Sequence, residues 1–204
     1  LTYLLKVLDH LAHWSRVHKL DNPKTQLPRE AVQLGMFLQK DGAWEALKGD
    51  KAILSFSGQR INFRVTVGNQ TGQDLYLALV YLDPRFGMQV FWSSTGPVPS
   101  GTAGLQIFEN FFALPPGADE ELDTLKLVVS TDPIEQIAFS RKGLMPILVD
   151  PRNLGGYRSI GMLSEPDWFA HTLLVRILRD SAESTLGETP LSLAGGQVTI
   201  GEHP

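Results

Sequence analysis

Five histidines, a scatter of serines and one acidic segment are the side chains of this 204-residue chain that could do chemistry. His10 and His13 stand one helical turn apart, a spacing at which two imidazoles can share a metal ion, and His18 follows closely. The three do not converge, because His18 projects toward the apolar side of the local pattern and His13 toward its polar side. No H-E-x-x-H is present and no third ligand can be named, so these read as surface and interface histidines. Serine chemistry has no firmer footing. No G-x-S-x-G elbow occurs; Ser55 and Ser57 fall in an apparent strand and Ser93-Ser94 in a loop, none with a base nearby in sequence.

Gly155-Gly156 and Gly161 flank Tyr157 and Arg158, but without the strand–turn–helix setting that cradles a phosphate. Pro115-Pro116-Gly117 with Asp119, Glu120, Glu121 and Asp123 lacks the ligand alternation of a calcium loop, and reads as a solvated acidic turn. There is no cysteine, which removes disulfides, thiolate zinc sites, iron–sulfur clusters and any cysteine nucleophile together. No metal, no cofactor and no catalytic residue is therefore expected of this chain.

The elements that would position these groups are mostly strands. Leu1, Leu4, Val7, Leu8, Leu11 and Trp14 recur at helical spacing, with Lys6, Asp9, His13 and Arg16 off the stripe. Asn22-Pro23 stops the pattern, since proline disfavours helical geometry in the residue before it. The expectation is an amphipathic helix over residues 1–22 that packs its stripe on the domain or on a neighbour. Leu4, Leu8, Leu11 and Trp14 are its interaction residues.

From residue 31 the period falls to two. Val32, Leu34, Met36 and Leu38 alternate with other residues, and Ile61, Phe63, Val65 and Val67 do so against Asn62, Arg64 and Thr66. Gly68 to Gly72 makes a turn, and 75–82 is apolar on both faces, suggesting a sandwich with an edge strand followed by a central one. Met88 to Trp92 should pair back after the turn at Arg85-Phe86-Gly87. Further strands are expected at 105–112, 125–130 and around the short apolar stretch 144–149, with another one or two in the tail from Thr189. Residues 168–178 alternate as a strand would, although Ser164-Glu165-Pro166-Asp167 also resembles a helix start; the strand is the expectation. The predicted fold is mainly β: a β-sandwich over residues 31–200 with an N-terminal amphipathic helix. Phe86, Trp92 and Phe111 could line a partner surface, although strand aromatics are more often core.

A net charge of −4 offers no broad basic face for nucleic acid. No run approaches the roughly 20 apolar residues of a membrane span, and no basic-then-apolar leader opens the chain. The lack of thiols fits a reducing cytoplasm. Because the chain opens on Leu1 inside a helical pattern, it is expected to be a piece of a longer polypeptide.

Three stretches resemble a known family. Leu8-Asp-His-Leu-Ala-His-Trp-Ser-Arg16 followed by Leu20-Asp-Asn-Pro23 and a β domain is similar to the region after the catalytic domain of bacterial caspase-like (metacaspase- or orthocaspase-type) cysteine peptidases. Phe63-Arg-Val-Thr-Val-Gly-Asn-Gln-Thr-Gly-Gln-Asp-Leu-Tyr76, continuing to Asp83, is similar to a strand pair of their β-sandwiches, and Leu125-Lys-Leu-Val-Val-Ser-Thr-Asp-Pro-Ile134 to another strand. The likeness spans residues 8 to 138. It implies a non-catalytic C-terminal accessory or regulatory region, whose partners are the peptidase catalytic domain or fragment and a protein substrate or regulator. The family's catalytic His–Cys dyad has no counterpart here, so proteolysis would belong to the parent protein. The alternative is a stand-alone β-sandwich module binding a peptide or glycan at a sheet edge or at the loop 93–104.

Overall fold

Side chains alternating between two environments, with turns every few residues, leave this chain little choice but sheets that share a core. The computed structural model describes residues 2–134, 139 and 167–180. The expected strands near 144–149 and in the tail, and the Gly155–Gly161 loop, lie outside the described residues. One helix, α1 (Thr2–His18), precedes nine strands: β1 (Val32–Lys40), β2 (Ala43–Ala46), β3 (Lys51–Phe56), β4 (Ile61–Asn69), β5 (Tyr76–Leu82), β6 (Met88–Ser93), β7 (Thr102–Phe112), β8 (Glu120–Ser130) and β9 (Trp168–Arg179). They form a four-stranded sheet in the order β2-β1-β4-β7 and a five-stranded sheet in the order β3-β9-β8-β5-β6. The pairings are antiparallel except that β3 runs parallel to β9. The expected sandwich with an N-terminal helix is the architecture found.

Between the sheets lies one core, to which Phe63, Val65 and Val67 of β4 and Leu77 and Leu79 of β5 contribute beside Leu125, Leu127 and Val129 of β8. Residues 168–179 are a strand, so the alternation outweighs the capping pattern there, and Phe169, Leu173, Val175 and Ile177 enter that core. The alternation of β4 has a different cause from the one expected. It is an inner strand, flanked by β1 and β7, and alternates because the outer face of its sheet is not fully covered. Strand β5 is apolar on both faces because its outer face is covered as well. Val80 and Leu82 of β5, Met88 of β6 and Val128 of β8 form a second cluster with Val17 of α1 and Phe139, against which Trp14 and Leu20 pack.

The turns are specified by side chains. Asn69 is fully buried with its amide satisfied: Nδ2 donates to the carbonyls of Gln73 and Val98, both at 2.9 Å, and Oδ1 accepts from Thr71 N and Thr71 Oγ1. Asp167 ties the segment after α1 to the start of β9, accepting from Thr25 Oγ1 and Gln26 N, each at 2.7 Å. No helix among the described residues is long and apolar enough to cross a membrane. Leu127 is fully buried in β8 between two sheet neighbours. Leu127→Ala should cost about 2–5 kcal/mol of unfolding free energy, read from urea denaturation.

Candidate functional site

The helix and one side of the sandwich both carry surfaces that the sequence assigned differently. An α-helix turns about 100° per residue, so His10, His13 and Val17 share a stripe, and these three are the buried residues of α1 among those described. The His10 Nε2 atom lies 2.7 Å from the Phe86 carbonyl, which can only accept, so this nitrogen carries the proton. Phe86 itself has a φ of 66°, a left-handed backbone unusual for a bulky residue, and Trp14 meets its ring edge-on at 5.3 Å. The face of α1 that packs on the domain is thus centred on the two histidines, not on the leucine stripe.

Of the four expected interaction residues, Trp14 belongs to that packing, stacked on His18 at 4.8 Å, and Leu11 is half-buried at its margin. Leu4 and Leu8 are 56% and 51% exposed, and Leu5 beside them is 57% exposed. The structure therefore splits the predicted set into one packed residue, one marginal residue and two that project outward. His10 and His13 are core groups of the helix–sheet contact. Among the described residues no three His, Asp or Glu side chains gather as a metal site.

The second surface was missed. Glu120 to Asp123 are not a solvated turn but the first residues of β8, and Asp123 is only 4% exposed. The cue was there in the alternation of Glu121, Asp123, Leu125 and Leu127, which puts two carboxylates on the core-facing side of a strand. Strands β6 and β7 end their sheets on the same side of the sandwich, and a cleft of about 360 Å³ opens there. Behind it runs a series of ring contacts, mostly stacked, crossing from sheet to sheet, of which Tyr81, Phe91, Phe63 and Phe112 line the cleft. Tyr81 lies 4.8 Å from Phe91, Phe91 lies 4.5 Å from Phe108, and Phe63 lies between Phe108 at 6.0 Å and Phe112 at 4.1 Å. The polar wall holds Asp123, which accepts a 2.7 Å hydrogen bond from the Tyr81 hydroxyl, and Glu121, paired with the Arg85 guanidinium.

Burial pushes the Asp123 carboxyl up to about 6, helped by the like charges of Glu121 and Asp83 and opposed by the Tyr81 hydrogen bond and Arg85. The Tyr81 hydroxyl is pushed far above its ordinary value by burial and by the Asp123 charge, so it stays a donor. Among the described residues the cleft brings together two carboxylates, a phenol hydroxyl and a guanidinium against aromatic walls. Trp44, Trp92 and Trp168 are half-buried on three different strands, with no shared platform of the kind a glycan site presents. Phe111 is exposed beside the cleft and lies under the Arg60 guanidinium at 4.1 Å. The chain matches no family model, no curated protein and no solved structure.

An Asp123 carboxyl that holds its proton up to about pH 6 when folded, well above the ordinary carboxylate range, makes acidification through that window favour the folded state. Asp123→Asn keeps the acceptor for Tyr81 and removes the buried charge. At pH 7.5 the variant should be more stable than the parent by on the order of 2–3 kcal/mol, and the advantage should shrink toward pH 5, measured by urea unfolding at both values.

Proposed function

We propose that this chain is a non-catalytic accessory domain that docks on a companion domain through the outward leucines of α1. The observation that carries the reading is the exposure of Leu4, Leu5 and Leu8 on a helix whose opposite stripe is already packed. A helix that needed only to cover its own sheet would place polar residues there. Covering these three side chains would contribute on the order of 1 kcal/mol each, enough to supplement a larger interface. The sequence likeness points to the companion as the catalytic domain of a caspase-like cysteine peptidase. The sandwich would then act as a rigid mount that positions a substrate or regulator, while bond cleavage belongs to the companion.

Leu4→Asp with Leu8→Asp should leave the thermal midpoint of this chain nearly unchanged, since exposed positions tolerate charge. The same pair should abolish co-purification of a companion fragment from natively expressed protein. Intact-mass and N-terminal analysis of that fragment should show a polypeptide bearing the paired His and Cys of a caspase-type site. A chain that purifies alone, that pairs only with a second copy of itself, or whose companion survives the double substitution would overturn the proposal.

A further inference from the structure

The cleft between β6 and β7 is independent of the helix surface, and its residues fit one class of ligand. It is at the small end of the about 300–1,000 Å³ range of ligand sites and combines apolar walls with few polar groups. Its charged groups are the Asp123 and Glu121 carboxylates and the Arg85 guanidinium, beside the neutral Tyr81 and Asn110. Asp123 accepts a hydrogen bond through Oδ1 alone, from Tyr81, and no described side chain donates to Oδ2. Arg85 pairs directly with Glu121 and Asp83 and reaches Asp123 only as a neighbouring charge, with no ion pair to it. Carboxylates are rarely this buried without a directly paired counter-charge, and the rings of Tyr81 and Phe91 line the same cleft.

We propose that this cleft is a receptor pocket for a cationic side chain on an apolar stem, the guanidinium or ammonium of a basic residue, which pairs with Asp123 and lies along the aromatic column. The stem removes water from the ring edges, while the charged head gains the carboxylate. Asn110, on the opposite sheet, lines the same cavity and supplies a neutral acceptor and donor for the remaining polar edge of the head group. A basic residue can arrive on a peptide or as a free small molecule. Strand β7 pairs only with β4 among the described strands, so a peptide has a sheet edge beside the pocket on which to lie.

The native protein is titrated by calorimetry and by proton NMR of its aromatic signals with three probes: N-acetylarginine amide, N-acetyllysine amide and N-acetylnorleucine amide. A capped pentapeptide with a central arginine between valines and threonines is added as a fourth. The two cationic probes should bind and move the Tyr81 and Phe91 signals, with norleucine at least tenfold weaker. Asp123→Asn, which should fold at least as well as the parent, should weaken the cationic probes tenfold or more and leave norleucine unaffected. A pentapeptide tighter than N-acetylarginine amide assigns the natural ligand to a peptide, and equal affinities assign it to a free cationic molecule. Norleucine binding as well as arginine, arginine binding unaffected by Asp123→Asn, or no cationic probe binding at millimolar concentration would overturn the pocket assignment.

Discussion

Helix α1 lies against the outer face of the five-stranded sheet, and that one contact determines what its inner strands can contain. With a second sheet on one side and a helix on the other, β5 and β8 sit in the middle of three layers, so Val80, Leu82 and Val128 are as deeply buried as Leu79 and Leu127. A strand placed there needs apolar residues at every position, or polar ones with local partners. Lys126 is one of the buried polar residues of β8 that meet the second condition. Its ammonium, buried on the helix side, donates to the Leu20 carbonyl at 2.9 Å and to Thr172 Oγ1 at 3.0 Å, and burial lowers its proton affinity. It thereby fastens the end of the helix to the sheet.

The same contact reaches the far side of the sandwich. His10 and Trp14 hold Phe86 in its left-handed conformation at the β5–β6 turn, a geometry that costs a bulky residue on the order of 1–2 kcal/mol. Arg85, the preceding residue, pairs with Asp83 and Glu121. The cleft exists because two sheets ending together leave a gap too wide for aliphatic side chains, and stacked rings bridge it. Each stacked pair adds about 0.5–1.5 kcal/mol beyond the area it buries, so this side can stay partly open without destabilising the core.

Much of the fold was legible in the sequence because period-two alternation is a property of the strand itself. The strands at 61–67 and 168–178 were readable this way, 75–82 as a continuous apolar run and 88–92 from the turn before it, while the helix expected over residues 1–22 ends at His18. Two features were legible only in part. The acidic stretch looked like a solvated turn because charge outweighs spacing in a composition-based reading, yet Glu121 and Asp123 continue the inward set of β8. The leucine stripe of α1 looked like the packing face because leucine is more hydrophobic than histidine. The helix instead turns its histidines inward, where the free Phe86 carbonyl can accept a hydrogen bond from one of them.

The residues by themselves determined the class of fold, the helix, most strand positions and the absence of any thiol chemistry, since each follows from local spacing or from composition. Tertiary structure alone decided which face of the helix is covered and that β4 is an inner strand. It also decided that the Asp123 carboxylate lies beside a column of rings contributed by four other strands. These depend on which segments meet across the sandwich, and a short-range pattern carries no information about a partner dozens of residues away.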